Sequence, residues 1–548
     1  MKFEEKLKNG QHEMLWQEYC GFLDLDIDSY MTIQNRLMLE QISLWSHCEL
    51  GKQILNGKRP ETIDEFRKVM PLSTYGDYAD ILLQKKGEML PDQPVIWIQT
   101  TWEGGKQPIK VAPYTKSMLD TYRSNMVACL MLSTSHEKGK FDVRVTDKIL
   151  YGLAPLPYAT GLFPLLLNEE IAIEFLPPVK EAEKMSFSER NKAGFKLGLS
   201  KNIDYFFGLG SVTYFISLSL SSMGRTSSQS NTANDKTGKT RYSLPMLGKF
   251  ILAKYRCKKE NRDLKPKDLF KLKGFMVAGT DNDCYKDDLE DLWGIRPMEI
   301  FAGTEPSCIG TETWTRNGMY FFPDTCFYEF IPEDEMNRSL DDKSYQPKTY
   351  LMNEVLTGET YELVISVLKG GAFMRYRVGD VYRCIGLEND EDKTRIPRFK
   401  YIDRIPTIID IAGFTRISEH SIKSAVDLSG LDIKAWIAVK EYNKQNRPFL
   451  HMYVEISASS ISSRGLSKEI LKEHLTVYFK YVDHDYKDLK HILGMEPLEI
   501  TILKSGAFEE YEKQTGRKMR HINPSVYHIK ELLLIEKQNF AVNNRRGA

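Results

Sequence analysis

Residues 361–386 constrain the fold more than any other stretch, because a strand with alternating apolar residues, a Gly370-Gly371 turn and a second strand follow one another there. The second strand carries Asp380 directly after Gly379. The two oxygens of such an aspartate can accept both hydroxyls of a ribose, and the glycine leaves room for the ligand. A β-turn built on this aspartate and glycine explains the pattern equally well. The stretch therefore predicts either a nucleotide site or a tight turn at Asp380.

The length and charge of the chain limit its class. With 548 residues, of which 42% are hydrophobic, the chain is long enough for about two to four packed domains. Lys plus Arg and Asp plus Glu both number 75, so the total charge gives no reason to expect a nucleic acid or an acidic membrane as partner. We therefore expect a small-molecule substrate, with no nucleic acid, no membrane and no obligate protein partner.

Cysteine usage and the amino terminus indicate a cytoplasmic protein. The eight cysteines are scattered, without a CxxC pair or histidines at zinc spacing, which favours reduced thiols. The opening MKFEEKLKNGQHEMLWQEY is charged and helical in pattern and lacks the apolar segment of a secretory signal. Residues 205–224 carry no charge over roughly the length of a membrane span, but their three glycines and several serines favour a buried helix.

The pattern changes along the chain. Helical periodicity dominates about the first ninety residues, and a strand is predicted at 95–100. Basic residues crowd between 255 and 273, which favours a solvated charged face over an anion site. Beyond Arg404, strands at 435–442 and 449–456 and a helix capped by Ser467 predict a small α+β domain. We therefore predict one domain at 1–404 and another at 405–548.

A second candidate acid follows a short apolar strand at residues 298–302. The strand ends at Gly303, and Thr304 and Glu305 come next, before Pro306 prevents the strand from continuing. A carboxylate at such a strand end suits magnesium, which prefers one or two carboxylates together with water and the phosphates of its nucleotide. A strand-capping Thr-Glu pair on the surface is the alternative.

A third candidate follows the predicted strand at 95–100. Its sequence, TTWEGGKQPIKVAP, begins at Thr100 and Thr101 and contains Gly104, Gly105 and Lys110. Backbone N–H groups in a tight glycine turn converge on an anion, so this loop suits phosphate. It lacks the spacing of a Walker loop, and a plain hairpin explains it equally well.

Together and in this order, the three segments resemble the signature of adenylate-forming enzymes: a phosphate loop, a Thr-Glu strand end, and Tyr-Arg-x-Gly-Asp. Within that superfamily the chain is most similar to the acyl-acid amido synthetases of the auxin-conjugating Gretchen Hagen family, as a divergent, bacterial-type member. The supporting stretches include FRKVMPLSTYGDY, DYFFGLGSVTYFI, FFPDTCFYEFIPED, YIDRIPTIIDIAGFTRISEHSI and LKSGAFEEYEKQTGRKMRHINPS. The resemblance implies an α/β fold: a large adenylate-forming N-terminal domain of several subdomains, with mixed sheets flanked by helices, plus a small α+β C-terminal domain that rotates between steps.

The resemblance also implies a reaction and its cofactors. ATP converts a small carboxylic acid into an acyl-adenylate, and an amine, usually an amino acid, then attacks the carbonyl to form an amide. ATP and Mg²⁺ are the implied cofactors, and the acid and the amine are the implied partners. An acyl-coenzyme A ligase and a non-catalytic acyl- or nucleotide-binding protein are the alternatives.

The resemblance assigns a role to each candidate residue. Asp380 holds the ribose, Glu305 ligates magnesium and Thr304 contacts phosphate. Arg404, before the interdomain hinge, and Arg416 contact the nucleotide. The implied phosphate cradle is formed by Thr100, Thr101, Gly104, Gly105 and Lys110. The implied acyl pocket contains Tyr205, Phe206, Phe207, Phe327 and Tyr328, aromatic residues that equally suit an ordinary core.

Two departures from the family pattern bear on catalysis. Trp102 and Glu103 stand inside the phosphate loop, where a carboxylate is unfavourable beside a triphosphate. The family's late catalytic lysine has no direct equivalent, because Ile522 falls near its place. Lys518 and Arg520 are the nearby substitutes, and with Glu305 they are the predicted catalytic residues.

Overall fold

The computed structural model describes residues 1–101, 109–185, 187–226, 244–413, 415–456, 468–482 and 497–546. These residues divide into two compact units. The first runs from Met1 to Thr101 and from Ile109 to Ile402, and the second includes the chain from Asp403 onward. The domain boundary predicted after Arg404 and the rotation of the second domain stay predictions. The predicted helix cap Ser467 lies outside the described residues.

Helices cover most of the first ninety residues, as the periodicity predicts, and then recur between strands. The helices of the first unit are α1 (Phe3–Lys8), α2 (His12–Cys20), α3 (Ile27–His47), α4 (Glu49–Ile54), α5 (Ile63–Val69), α6 (Ala79–Leu82), α7 (Lys116–Thr134), α8 (Leu162–Glu170), α9 (Val179–Ala182), α10 (Phe187–Lys201), α11 (Gly210–Thr226), α12 (Leu244–Lys259), α13 (Asp283–Trp293) and α14 (Glu333–Asp341). Those of the second unit are α15 (Glu419–Ser429), α16 (Lys468–Val482), α17 (Ala507–Thr515) and α18 (Val526–Arg546). Among the helices within the described ranges, none is both long enough and apolar enough to traverse a bilayer.

Among the described residues, fourteen strands begin in the first unit and five more follow. They are β1 (Ile96–Thr101), β2 (Ile109–Tyr114), β3 (Lys148–Gly152), β4 (Glu174–Leu176), β5 (Tyr205–Leu209), β6 (Gly274–Ala278), β7 (Met298–Gly303), β8 (Ser307–Glu312), β9 (Met319–Phe321), β10 (Cys326–Pro332), β11 (Tyr350–Leu351), β12 (Thr360–Val367), β13 (Tyr376–Gly386), β14 (Arg398–Arg404), β15 (Ile408–Ile411), β16 (Thr415–Ser418), β17 (Ile433–Tyr442), β18 (Pro448–Ile456) and β19 (Leu498–Leu503).

A twelve-stranded mixed sheet forms the centre of the first unit, with strand order β11-β10-β12-β13-β14-β9-β8-β7-β6-β5-β3-β4. Strands β3 to β7 pair in parallel, whereas β7 pairs with β8 in antiparallel fashion. Every residue of β12 is buried, consistent with its run of branched and aromatic side chains. Strand β7 therefore stands where the parallel part of the sheet meets the antiparallel part, and its carboxyl end leads into the predicted Thr304-Glu305 site.

The prediction of one buried helix over 205–224 is wrong for its first five residues. Tyr205–Leu209 form strand β5, paired in parallel with both β3 and β6, and α11 begins only at Gly210. Three successive aromatic residues prefer a pleated strand, and burial on both faces removes the alternation by which a strand is recognised. A short apolar run of this kind does not distinguish a strand from a buried helix.

The second unit contains the predicted α+β arrangement. Strands β17, β18 and β19 form one sheet, in which β17 and β18 are antiparallel and β18 and β19 are parallel. Apolar residues of α15 and α16 pack on one face of this sheet, and those of α17 and α18 pack on the other. Beside it, β15 and β16 form a separate two-stranded hairpin.

Candidate functional site

The Thr304-Glu305 pair lies in the tight turn that joins β7 to β8. Gly303 pairs with Ser307 across this turn, and a Cβ at Gly303 would meet the Pro306 ring at 3.0 Å, closer than real Cβ contacts usually come. The phenol of Tyr114 donates to the Thr304 carbonyl oxygen at 2.9 Å and thereby fixes β2 to the turn. The strand end predicted from the sequence is present, and it is a hairpin turn anchored by a neighbouring strand.

Glu305 is the centre of a buried polar cluster. Its Oε1 accepts hydrogen bonds from Lys110 Nζ at 2.8 Å and from the Tyr376 phenol at 2.7 Å. Lys110 Nζ also donates to the Tyr376 oxygen at 2.8 Å, so the three groups form a closed triangle. The Glu305 and Lys110 side chains are only 9% and 11% exposed. Three segments distant in sequence therefore meet at one carboxylate oxygen.

The electrostatics of this triangle keep Glu305 ionised. Burial alone would raise the pKa of the Glu305 carboxyl, but the Lys110 charge and the hydrogen bonds from Lys110 and Tyr376 lower it to about 2. Both side-chain hydrogen bonds from described residues fall on Oε1. Glu305 therefore presents a negative charge at neutral pH and retains a second oxygen, Oε2, for a further partner.

Lys110 reaches Glu305 because of the β1–β2 hairpin. Thr100 pairs with Lys110 and Thr101 with Ile109, so both predicted threonines stand where β1 enters the loop. Lys110 Nζ lies 5.5 Å from the ring centroids of both Tyr75 and Tyr376. Stacking between two aromatic faces positions an ammonium without neutralising it. The predicted loop residues Gly104 and Gly105, and the intruding Trp102 and Glu103, lie outside the described residues.

Sequence reasoning missed two tyrosines of this cluster. Tyr376 is the first residue of the Tyr-Arg-x-Gly-Asp motif, to which the sequence assigns no role of its own, and Tyr75 lies in FRKVMPLSTYGDY, a stretch that carries only the family resemblance. Tyr75 accepts from the Val111 amide at 2.6 Å and donates to the Val111 carbonyl at 3.1 Å. These bonds hold the tyrosine ring beside Lys110. The sequence offered one signal for both residues: each is a tyrosine inside a stretch that carries the family resemblance.

Asp380 lies on β13 between two contacts with the β7–β8 hairpin. Before it, Tyr376 bonds to Glu305; after it, the Tyr382 ring packs edge-on against Phe301 of β7 at 5.4 Å. Asp380 is 1% exposed, and Gly379 has φ +83°, a conformation that favours glycine. Burial and the negative charge of Asp380 both raise the pKa of nearby Glu362. Asp380 therefore lies on the part of β13 that contacts the β7–β8 hairpin, which carries Glu305. Binding of a ribose by Asp380 stays a prediction.

Arg377, the arginine of the Tyr-Arg-x-Gly-Asp segment, has a structural role beside the contact between β13 and the β7–β8 hairpin. Its guanidinium forms a bidentate ion pair with Glu362 between β13 and β12: Nε donates to Oε1 at 2.7 Å and Nη2 to Oε2 at 2.5 Å. Arg375 forms a second bidentate ion pair, with Glu329 of β10, in which both hydrogen bonds are 3.0 Å long. The backbone of Ser73 bridges to Arg375 and Arg377, with both N–H···O distances 2.9 Å. These contacts fix the start of β13, and hence Tyr376, in place.

In the second unit, the two predicted nucleotide-contacting arginines share one acid that sequence reasoning missed. Arg416 Nε lies 3.3 Å from Asp410 Oδ2, and Arg404 Nε lies 3.5 Å from the same oxygen. Asp410 is fully buried, pairs with Arg416 across the β15–β16 hairpin, and accepts from the Gly413 amide at 3.0 Å. The structure thus brings Arg404 and Arg416 together, and their role toward ATP stays a prediction.

The predicted catalytic substitutes lie between α17 and α18. Lys518 is exposed, and Arg520 is half-buried. Solvent exposure leaves the Lys518 amine available to a ligand. The catalytic assignment of both residues stays a prediction.

The five predicted acyl-pocket residues are buried but do not share one face. Tyr205 and Phe207 point to the side of β5 that packs against α7 and α8, whereas Phe206 points to the other, where it stacks on Phe275 at 5.6 Å. Phe327 and Tyr328 lie on β10, and the Tyr328 phenol donates to the Phe322 carbonyl at 2.8 Å. Each of the five is at most 4% exposed and packed among other side chains. Their part in an acyl pocket stays a prediction.

Comparison with known proteins shows which family the chain resembles. Residues 319–404, which run from β9 to β14 and include Tyr376 and Asp380, match the model of the GH3 family central domain. The resemblance to the Gretchen Hagen (GH3) family drawn from the sequence is thereby confirmed.

Individual GH3 relatives match a limited part of the chain. An indole-3-acetic acid-amido synthetase from Arabidopsis thaliana is 27% identical over 196 residues, covering 34% of this chain and 31% of the relative. A probable enzyme of the same name from Oryza sativa subsp. japonica is 27% identical over 206 residues, covering 34% and 32%. The match spans about a third of these relatives, so activity and substrates are matters for proposal.

The structural likeness to known proteins extends beyond residues 319–404. A solved 2-hydroxyisobutyryl-CoA ligase, with 2-HIB-AMP and CoA bound, superposes with a TM-score of 0.54 at 14% identity, covering 86% of each chain. At that identity the likeness shows the fold alone. The predicted α/β fold of adenylate-forming enzymes, with mixed sheets flanked by helices, is confirmed.

Proposed function

We propose that this chain is an acyl-acid amido synthetase: it uses ATP to convert a small carboxylic acid into an acyl-adenylate, and transfers the acyl group to the amine of an amino acid. The observation that carries the proposal is the Lys110–Glu305–Tyr376 triangle. It joins the candidate phosphate loop, the Thr-Glu turn and the Tyr-Arg-x-Gly-Asp strand at hydrogen-bond distances of 2.7–2.8 Å. These are the three segments whose joint occurrence resembles the adenylate-forming signature.

The donor chemistry of the site fits magnesium with a nucleotide. Glu305 is an ionised carboxylate that follows Thr304 in sequence, and magnesium is commonly held by one or two protein carboxylates, with phosphate and water completing its ligands. Within the described residues there is no group of three or more His, Cys, Asp or Glu side chains that would hold a metal unaided. Glu305 Oε2 would therefore hold the ion jointly with the phosphates. When bound, the ion supplies positive charge to the phosphate oxygens.

Lys110 is the residue that would respond to phosphate. Its ammonium faces Glu305 at 2.8 Å, and a triphosphate offers more negative charge than one carboxylate. We infer that Lys110 turns from Glu305 toward phosphate when ATP binds, and so neutralises charge on the departing pyrophosphate. Tyr376 would keep its bond to Glu305 and hold the carboxylate in place. Asp380 would accept the ribose hydroxyls.

In the first half-reaction, an oxygen of the substrate carboxylate forms a bond to the α-phosphorus while the bond to pyrophosphate breaks. In the second, the amine attacks the acyl carbonyl, AMP leaves, and the amine loses a proton. Arg404 and Arg416, which both pair with Asp410, would contact the nucleotide. Lys518 and Arg520 would assist where the family uses its late lysine. Exclusion of water matters in both steps, because hydrolysis of the mixed anhydride wastes ATP.

Isotope exchange between ATP and pyrophosphate, measured over a panel of carboxylic acids, tests the proposal. We expect exchange that depends on one class of acid and on magnesium, without any added amine. Amino acids and coenzyme A are then offered separately, with amide or thioester measured by mass spectrometry. Thioester without amide would make the chain an acyl-coenzyme A ligase. Nucleotide binding without exchange for any acid would make it a binding protein.

A further inference from the structure

Helix α12 (Leu244–Lys259) has an exposed apolar face opposite its buried one. Met246, Ala253 and Cys257 are 3–5% exposed and belong to the core beside the parallel strands. On the outer side, the exposed fractions are 41% for Leu247, 60% for Ile251, 59% for Leu252 and 70% for Tyr255. At about 100° per residue, the outer residues lie within one arc opposite the buried residues. Single exposed apolar residues are ordinary, but four on one helical face form a patch.

The same helix is strongly basic. It contains Lys249, Lys254, Arg256, Lys258 and Lys259 and no acidic residue. Within the described part of the chain, four of these five, all except Lys254, form no ion pair with a carboxylate. They are exposed beside the apolar face or at its carboxyl-terminal end.

Most of the basic residues that follow α12 form ion pairs with acidic side chains. Arg262 pairs with Asp268 at 2.7 Å, Lys267 with Asp291 at 3.2 Å, and Lys273 with Asp147 at 2.6 Å. The basic stretch 255–273 therefore has two parts: among the described residues, its helical members form no ion pair, whereas four of the five that follow the helix do, Lys271 being the exception. A balanced total charge does not reveal such a local excess.

We propose that the outer face of α12 docks on an anionic phospholipid surface. A bilayer offers an apolar layer to Leu247, Ile251 and Leu252, and phosphates at the depth reached by flanking lysine and arginine side chains. A tyrosine ring, apolar with a polar tip, suits the boundary between these layers, where Tyr255 would lie. Each basic residue near an anionic surface adds attraction that falls with salt. The chain lies on the membrane in this proposal and does not span it.

Other occupants fit these observations less well. Two copies joined through this face would bring five basic residues against five, because a twofold interface places the same patch on both sides. A protein that wraps a basic helix on all sides requires its whole circumference, whereas Met246, Ala253 and Cys257 are packed in the core. A lipid surface needs only the outer face.

Sedimentation of the full chain with phospholipid vesicles tests the proposal. One set of vesicles contains phosphatidylcholine alone, and the other contains phosphatidylglycerol as well. We expect the protein to sediment with the anionic vesicles, to bind the neutral ones at least about tenfold more weakly, and to be released as salt rises. A protein that stays in solution with both vesicle types overturns the proposal.

Variants locate the docking face. Ile251→Ser with Leu252→Ser, and separately Lys258→Glu with Lys259→Glu, should each weaken binding to anionic vesicles about tenfold or more. Leu39→Ser with Leu44→Ser on α3, which are 43% and 44% exposed, is the matched apolar control and should bind normally. Lys116→Glu, an exposed basic residue on α7, is the charge control.

Three results would contradict the proposal. One is vesicle binding that neither α12 variant weakens. Another is a wild-type dimer, seen by sedimentation velocity, that the α12 variants dissociate while vesicle binding is absent. The third is capture by an acidic protein without vesicle binding. Unchanged thermal midpoints show that the variants are folded, and the two α12 variants test the same face through different chemistry.

Discussion

Two buried carboxylates of the first unit, Glu305 and Glu329, each pair with basic side chains, but their surroundings differ. Glu329 is 1% exposed, and both of its oxygens are occupied: Oε2 accepts from Arg375, and Oε1 from Arg375, Arg67 and Thr349. Glu305 has its described side-chain hydrogen bonds on Oε1 alone. A saturated carboxylate has no capacity for a ligand, whereas Glu305 retains an oxygen and a partner, Lys110, that another anion can attract.

The basic partners differ in the same way. Arg375 is held by Glu329 and by the carbonyls of Arg67 and Met70, at 2.7 and 2.8 Å, so its planar group is fixed. Lys110 ends in a compact ammonium on a flexible stem between two aromatic rings. We therefore expect the pair at Glu329 to serve stability and the pair at Glu305 to serve binding, with opposite results for the same substitution at the two sites.

The largest expected effect on stability is that of Glu329→Gln. Removing this charge leaves Arg375 buried without its counter-charge, and breaking such a pair typically costs about 3–5 kcal/mol. We expect a marked fall in the unfolding midpoint by calorimetry. The exchange rate per folded molecule should change little at a temperature where the variant is still folded. A stable variant that lacks exchange would reverse the assignment.

Glu305→Gln should have the opposite profile. Loss of an electrostatic contact made to a reacting phosphate typically lowers turnover about 10²–10³-fold. We expect a loss of that order in ATP–pyrophosphate exchange, with a weaker dependence on magnesium. The unfolding midpoint should fall less than for Glu329→Gln, because the side-chain hydrogen bonds that described residues make to Glu305 are confined to Oε1. Normal exchange in this variant would make Glu305 a structural residue.

Acid stability should separate the variant from the wild type. The folded-state pKa of Glu305 is about 2, below its ordinary value of 4.5, because Lys110 and Tyr376 outweigh the effect of burial. A depressed pKa contributes stability above pH 4.5, which is lost as pH falls toward 2; the contribution is on the order of 3 kcal/mol. The difference in unfolding free energy between wild type and Glu305→Gln should therefore narrow over this window. A difference independent of pH would contradict the ionised state.

The sequence pointed to one side of this comparison, the residues around Glu305, and not to Glu329. Glu305 and Asp380 were recognisable because each follows a glycine at or within a strand, and Lys110 because it follows a glycine-containing loop. Local sequence encodes such strand ends and turns directly. The α+β character of the second unit was readable for the same reason, because β17 and β18 have clear strand composition.

Contacts set by strand register were not accessible. That Tyr376 reaches Glu305, and that Arg404 and Arg416 share Asp410, depends on which residues face each other across strands far apart in sequence. Strand β5 was mistaken for helix because burial on both faces removes periodicity. The aromatic residues of the predicted acyl pocket were grouped by composition, yet Phe206 points away from Tyr205 because successive side chains of a strand alternate.

Asp380→Ala should lower nucleotide affinity. Hydrogen bonds to a charged group contribute about 1.5–3 kcal/mol, so the Kd for ATP measured by calorimetry should rise about 10- to 100-fold. Asp392→Ala is the matched control, because Asp392 is another buried acid, with hydroxyl partners Thr313 and Tyr320 at 2.7 and 2.8 Å. The control should lose stability and keep its affinity. Unchanged affinity in Asp380→Ala would remove this residue from the ribose site.

Tyr376→Phe should have the smallest effect, and it tests whether the triangle acts as a unit. The change removes one hydrogen bond to Glu305 and one from Lys110, so we expect exchange to fall about 5- to 10-fold. Tyr361→Phe is the matched control, since among the described residues this buried phenol accepts a hydrogen bond only from the Leu356 amide, at 3.0 Å. In Glu305→Gln the additional loss from Tyr376→Phe should largely disappear, because residues that act through one another are not additive. Additive losses would mean that Tyr376 contacts the substrate by itself, and Glu305 would then depend on Lys110 alone.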